Sequence, residues 1–228
     1  MKYYPVNLNI RDRQCLVVGG GGGASRKVKS LLDCGAVITV VSPAFTNTLE
    51  NMADHPQVHL LRRPYQSTDL EGKFLVIGAT DDMTLNRRIS ADAETRQMLC
   101  NIADVPEECN FILPSVIRQG DFVLTISTSG KSPAFAKHLR RQMQNQFGVE
   151  YDRFLQLMGS IRKRLLAEEH APEAHKHLFK QLIENNLLEM IRKNDIAAIN
   201  QVLYNVLGDG FDYNTLINET VGSREAGS

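Results

Sequence analysis

An α/β fold, a doubly wound parallel sheet followed by a small α/β segment and a C-terminal helical domain, is predicted by three features of this 228-residue sequence. The apolar run Leu16–Val18 stops in five glycines, Gly19 to Gly23, and a helical pattern follows at Val28, Leu31 and Leu32. Short apolar runs then alternate with helical patterns as far as Ile102, the rhythm of strands and crossover helices in a parallel sheet. From Glu150 onward the chain is helical by periodicity.

The glycines carry the first chemical reading. Gly19, Gly21 and Ala24 satisfy G-x-G-x-x-G/A, the fingerprint of a dinucleotide-binding strand–turn–helix. The first glycine permits the tight turn, the second lets backbone approach a pyrophosphate, and Ala24 keeps helix and strand close. The helix N-terminus offers free N–H groups and a positive dipole end. Any glycine run can be a flexible loop, but Gly35 reads as a helix stop and Val37–Val41 as a second strand. That closes a βαβ unit of about 30 residues. A Rossmann-like domain is expected over residues 1–113.

The elements follow in order. Pro5–Ile10 alternates as an edge strand would, and Ser42 and Pro43 suit the cap and first turn of a helix reaching about Asp54. Val58–Leu61 is a third strand, and Phe74–Gly78 reads as a strand buried on both faces. Asp82 can cap the helix Met83–Arg96 or serve the ligand edge of the sheet; Met98–Ile102 is a fifth strand. Phe111–Pro114, Ser115–Arg118 and Phe122–Ser127 are strand-like, with a hairpin turn at Gln119-Gly120-Asp121 and a helix from Pro133. This small segment spans 114–148. The helical domain spans 149–218, with helices Tyr151–Glu169, Glu173–Arg192 and Asp195–Leu207. The polar tail 219–228 is expected to be disordered.

Composition narrows the partners. Lys+Arg 26 balances Asp+Glu 26, so no basic field points to nucleic acid. No window approaches the roughly 18 apolar residues of a membrane span, and the N-terminus lacks a signal-peptide core. A cytoplasmic protein is expected. The four cysteines have no C-x-x-C spacing, no metal site is predicted, and Cys15 and Cys100 read as buried thiols. His170, His175 and His177 are expected to be exposed beside a helix break.

Taken together, several motifs resemble the precorrin-2 dehydrogenase/sirohydrochlorin ferrochelatase family, the dehydrogenase-chelatase module of sirohaem synthase. They are Val17-Val18-Gly19-Gly20-Gly21 with Ala24, Arg26 and Lys27; Val40-Val41-Ser42-Pro43; Ala79-Thr80-Asp81-Asp82 with Asn86; and Asn101 with Asp104 and Pro106. Phe111-Ile112-x-Pro114-Ser115, Ile126-Ser127-Thr128-Ser129-Gly130-x-Ser132-Pro133, and Ala136 with Leu139-Arg140 complete the set, from about Arg11 to Arg141. The resemblance implies an NAD-dependent oxidation of precorrin-2 to sirohydrochlorin in sirohaem biosynthesis. It further implies ferrous iron insertion, with iron as a substrate, and a homodimer formed through residues 114–148. At 228 residues, a stand-alone form without the methyltransferase domain of the fused enzyme is expected.

Site residues follow from motif and chemistry together. Gly19, Gly21, Gly22 and Gly23 should lie along the pyrophosphate, Pro43 and Ala44 near the adenosine, and Thr80 in the cofactor cleft. Ser42-Pro43 stands where a ribose-binding Asp or Glu is usual. Asp104, just beyond the fifth strand, matches the family's catalytic aspartate and could take the departing proton; it also suits a turn before Pro106. A polycarboxylate substrate needs local donors and positive charge, for which Ser127, Thr128, Ser129, Lys131, Ser132, Lys137 and Arg140 are candidates. Each of these cations taken singly also suits a solvated helix face, as does His138. The rivals are a dehydrogenase served by a separate chelatase, and a dinucleotide-sensing protein without catalysis.

Overall fold

A computed structural model describes residues 2–103, 105–167 and 175–225. Contacts divide the chain into two compact units, Met1–Leu113 with Ser129–Lys131, and Pro114–Thr128 with Ser132–Ser228.

The first unit is a five-stranded parallel sheet of β1 (Gln14–Val18), β2 (Val37–Ser42), β3 (Val58–Arg62), β4 (Leu75–Gly78) and β5 (Leu99–Ile102), in spatial order β3-β2-β1-β4-β5. The apolar strands are continuous because both faces are covered. Helices α1 (Gly22–Leu32) and α2 (Asn47–Met52) accompany one cluster, built on Val17, Val28, Ile38 and Leu49. On the other face α3 (Met83–Glu94) and a 3₁₀ turn at Ser67–Leu70 accompany Leu16, Val76, Ile89 and Leu70. Gly35, at φ +76°, ends the first crossover, and Gln57 Nε2 donates to its carbonyl.

Three local expectations are corrected. Pro5–Ile10 forms no strand; only Ile10 of that stretch is buried, so nothing anchors it to the sheet edge. Ser42 ends β2 rather than capping a helix, and α2 starts only after Thr46. The intervening residues cross the glycine loop, where Thr46 N–H donates to the Gly20 carbonyl. Phe111–Pro114 is not a strand either, although Asn101 Nδ2 holds the Phe111 carbonyl at 3.0 Å.

In the second unit β6 (Ser115–Gln119) and β7 (Phe122–Ile126) form an antiparallel hairpin through Gly120-Asp121, with Gly120 at φ +57°. The helices are α4 (Pro133–Gln144), α5 (Glu150–Ala167), α6 (Lys176–Glu184), α7 (Leu187–Lys193), α8 (Ile196–Leu207) and α9 (Tyr213–Glu225). Leu157, Ile161, Leu182, Leu187, Ile191, Ile199, Leu203 and Leu216 form their core. Hairpin and helices pack as one unit: Phe122, Phe147 and Tyr151 cluster with ring centroids 4.9–5.2 Å apart, and Gln119 Nε2 donates to the Phe147 carbonyl.

The expected helix Glu173–Arg192 is two helices, because Asn186 adopts a left-handed conformation at φ 57°. The final helix runs past 218 to Glu225, anchored by buried Tyr213 and Leu216 and by the Arg164–Glu219 ion pair; 226–228 lie outside the described residues. His175 is buried at the start of α6 rather than exposed, while His177 is exposed and His170 lies outside the described residues. Among the described residues no helix is long and apolar enough to cross a membrane.

Candidate functional site

The first unit holds a cleft of about 740 Å³ lined by the ends of β1, β2 and β4 and the loops that follow them. Strand order reverses here, with β1 between β2 and β4. Open α/β sheets bind ligands at such a switch point.

The glycine loop divides by what each missing side chain makes room for. A Cβ on Gly19, at φ +129°, would stand 2.2 Å from the Ala79 carbonyl oxygen, and one on Gly20 would stand 1.7 Å from that of Ala44. Those two positions are glycine because the protein's own backbone passes there. Gly21 and Gly23 have nothing within 4 Å of the Cβ position, and Gly22 meets only the Arg26 guanidinium at 3.9 Å. All five line the cleft, so its floor carries bare backbone where another molecule can approach. Gly19 N–H donates to Val41 O, and Ser25 Oγ donates to Gly21 O while lying 3.2 Å from Thr46 Oγ1. Helix α1 opens on this floor with Gly21 as its cap and no side-chain acceptor there. Its first N–H groups suit an anion.

Ser42 and Pro43 line the adjoining wall. Ala44 does not; its carbonyl faces Gly20 because the chain turns back over the glycine loop. Arg62 and Arg63 stand outside the lining, each on a carboxylate: Arg62 pairs with Glu50, and Arg63 Nη1 reaches Asp69 at 2.9 Å. Burial works against the Asp69 charge, but the Arg63 and Gln66 hydrogen bonds outweigh it and hold the carboxyl below the usual aspartate range.

The loop after β4 supplies Ala79, Thr80, Asp81 and Asp82. Thr80 Oγ1 donates to Asn86 Oδ1 at 2.9 Å, and the buried Asn86 returns a bond to the Thr80 carbonyl at 3.0 Å. Asp82 fills both roles open to it: it lines the cleft, and its Oδ1 accepts from Thr84 and Leu85 N–H to cap α3.

Pro64, Tyr65 and Arg88 form a wall that no motif announces. Tyr65 is buried and donates to Asp92 Oδ2 at 3.0 Å, and the Arg88 guanidinium lies 5.5 Å from its ring centre. Burial, reinforced by Asp92, pushes the phenol far above its ordinary range, so it stays protonated. Sequence reasoning missed this wall because its parts meet only after the crossover from β3 to α3.

Asp104 lies outside the described residues, but both its neighbours are described. Ala103 lines the cleft, with its N–H donating to Gly78 O. Beyond β5, Cys109 Sγ accepts from Ile102 N–H at 3.1 Å and stands 3.2 Å from the Val105 carbonyl. Burial, the largest influence, raises this thiol's pKa, so it remains a neutral donor.

Of the substrate candidates, Thr128 and Ser132 serve local structure. Thr128 Oγ1 accepts from Ser132 N–H at 3.1 Å, and Ser132 Oγ caps α4 by accepting from Phe135 N–H. Ser129, at φ 53°, and Gly130 make the turn between them, and Ser127 and Lys131 are exposed. Lys137 is exposed on α4, with Arg140 a turn further on and donating to Gln144 at 2.9 Å. His138 is exposed on the same helix.

Fold and cleft together define an NAD(P)-binding, Rossmann-like protein with an added helical unit. A family model described as NAD(P)-binding matches residues 6–115, and one described as sirohaem biosynthesis protein central matches residues 124–146. The siroheme synthases of Shigella boydii serotype 18 and Escherichia coli O139:H28 are each 32% identical over 214 residues, 93% of this chain and 47% of theirs. The chain thus spans about half the length of these relatives. A solved structure of SirC, precorrin-2 dehydrogenase, superposes with a TM-score of 0.73 at 25% identity, covering 88% of this chain and 98% of that one. The chain belongs to the precorrin-2 dehydrogenase/sirohydrochlorin ferrochelatase family, that of the N-terminal module of sirohaem synthase.

Proposed function

We propose that this protein oxidises precorrin-2 to sirohydrochlorin with NAD as acceptor, and that it also takes ferrous iron as a second substrate to form sirohaem. The observation that carries the reading is the bare glycine floor, Gly21 to Gly23, at the N-terminus of α1 in a switch-point cleft.

The residues present fit a dinucleotide. Backbone N–H groups at Gly21 to Gly23 would hold the pyrophosphate, Ser42 and Pro43 would border the adenosine, and the Asn86-braced Thr80 would line the nucleotide's cleft from the β4 side. When bound, NAD supplies a two-electron acceptor for hydride from the tetrapyrrole carbon. The chain's part is to orient the substrate and remove the accompanying proton. Asp104 is assigned as that base, in keeping with its place beyond the strand whose end borders the cleft through Ala103. Ser127, Thr128, Ser129, Lys131, Ser132, Lys137 and Arg140 are assigned to the substrate's carboxylates as donors and cations. Iron insertion requires removal of pyrrolic protons and delivery of the ion, for which a permanent metal cage is unnecessary.

A homodimer belongs to the same reading. The β6–β7 hairpin pairs only with itself among the described strands, and Val116 and Val123 are exposed on one face. The opposite face, where Ile117 is buried, packs within the unit, so a second copy would cover the face on which Val116 and Val123 are exposed. The setting proposed is cytoplasmic.

The test is an anaerobic spectrophotometric assay with enzymatically generated precorrin-2, with and without NAD, followed by ferrous iron. NAD-dependent sirohydrochlorin supports the dehydrogenase, and its absence with folded protein returns the sensor reading. Sirohaem formation no faster than in an enzyme-free control would leave a dehydrogenase alone.

A further inference from the structure

The cleft's cationic wall has a use that the glycine floor does not explain. Arg88 lines the cleft from α3 while remaining exposed. Its guanidinium is aimed rather than free: it lies over the Tyr65 ring, Nη2 donates to Ser67 Oγ at 3.3 Å, and Nε stands 3.8 Å from Asp92 Oδ2. Tyr65 OH and Ser67 Oγ both donate to that same Asp92 oxygen, at 3.0 and 2.6 Å. One carboxylate therefore organises the platform on which the guanidinium rests. Nη1 makes no hydrogen bond to a described residue.

Tyr65 comes from the segment after β3, the strand beside β2, shares a core cluster with Val41 of β2, and lines the same cleft as Ser42, Pro43 and the guanidinium stacked on it. The adenosine ribose of a bound dinucleotide falls at the end of β2. In folds that choose NAD, a carboxylate there binds the 2′-hydroxyl and repels a 2′-phosphate, whereas a nearby arginine accommodates the phosphate. Here that strand ends in Ser42-Pro43. The carboxylates in the lining, Asp81 and Asp82, come from the loop after β4, and Asp82 is engaged in capping α3. The other arginines near the end of β3, Arg62 and Arg63, are paired with Glu50 and Asp69.

We propose that Arg88 reads the 2′ position of the adenosine ribose, so that this cleft takes a 2′-phosphorylated dinucleotide as well as NAD. The inference rests on the dinucleotide reading above and adds a specificity-determining side chain to it. A guanidinium held by stacking and by one carboxylate presents a remaining donor edge to phosphate, and a charge-assisted bond of this kind strengthens when partly desolvated.

Calorimetric titration of the full chain with NAD and with NADP, without tetrapyrrole, tests it. Wild-type protein should bind NADP within about tenfold of NAD. Arg88→Gln should weaken NADP by about tenfold or more while changing NAD by less than about threefold, and Arg88→Lys should recover part of the loss. Added salt should weaken NADP more than NAD in wild type, and that difference should shrink in Arg88→Gln. Wild-type protein that binds NAD but rejects NADP overturns the inference and leaves the dinucleotide reading intact. So does an Arg88→Gln variant, folded by circular dichroism, that loses both ligands equally. Binding of neither nucleotide to the folded wild type would overturn both readings.

Discussion

The Cys109 sulfur accepts a hydrogen bond from Ile102 N–H and stands within donating distance of the Val105 carbonyl, tying the end of β5 to the residue that follows Asp104. Asn101 Nδ2 adds a longer contact to the same sulfur at 3.6 Å. The thiol holds both ends of the turn proposed to carry the base, yet it is not among the residues lining the cleft.

Cys109→Ala should therefore loosen that turn without disturbing the nucleotide floor. Loss of one or two sulfur hydrogen bonds costs about 1–2 kcal/mol of stability. Precorrin-2 turnover should fall while the calorimetric affinity for NAD stays at the wild-type value. An unchanged turnover number would show that the sulfur only fills space.

Asp104→Asn removes the proposed base while keeping its size. Loss of a positioned general base typically costs about 10²–10⁴-fold in rate. Anaerobic assay should show that loss, with NAD binding retained. Wild-type turnover in the variant would exclude Asp104 as the proton acceptor.

The glycine loop makes two opposite predictions. Gly19→Ala places a Cβ against the Ala79 carbonyl in a left-handed conformation, so it should lower stability by about 2 kcal/mol or more. Gly21, at φ −86°, has open space around the new methyl, so Gly21→Ala should fold normally and weaken NAD by about tenfold through contact with the pyrophosphate. Urea midpoints and titration calorimetry on the same two variants separate the effects. Equal stability loss in both would contradict the division of the loop.

The cysteines should differ sharply in reactivity. Burial pushes the Cys15 thiol up to about 11 and the Cys100 thiol up to about 12, while Cys34 is exposed. Near pH 8 the folded protein should lose Cys34 first to iodoacetamide, with Cys15 and Cys100 reacting only on unfolding. Mass spectrometry of a time course reads this directly. Early labelling of Cys100 would show that the β5 edge opens readily.

Acid should reveal the Arg63–Asp69 pair. Asp69 is held below its ordinary range despite its burial, so its contribution is present above the unfolded aspartate value of about 3.9 and lost as pH falls through the folded one. The stability gap between wild type and Asp69→Asn should be widest near neutrality and narrow below about pH 4. A gap independent of pH would mean that the charge contributes nothing.

Much of the architecture is local and so was legible in the sequence. The apolar run into Gly19–Gly23, the stop at Gly35, the Asp82 cap and the Ser132-Pro133 helix start all act over a few residues. Readings failed where distant chain competes for the same residues. Ser42-Pro43 has the chemistry of a helix start, yet the following loop is strapped to Gly20 and α2 waits until Asn47. Periodicity carried one helix through Asn185-Asn186, but Leu182 and Leu187 are both fully buried and the chain turns between them.

The sequence by itself determined the parallel sheet and its glycine loop, because strand burial, turn geometry and capping depend on neighbours within one βαβ unit. Only the tertiary structure decided which glycines serve the protein's own backbone and which face open space. It also brought Tyr65 and Arg88 into the cleft and committed Arg62 and Arg63 elsewhere. Those outcomes depend on contacts between segments well apart in the chain, as with Tyr65 and Asp92, which are 27 residues apart. Residue spacing carries no record of a contact over such a separation.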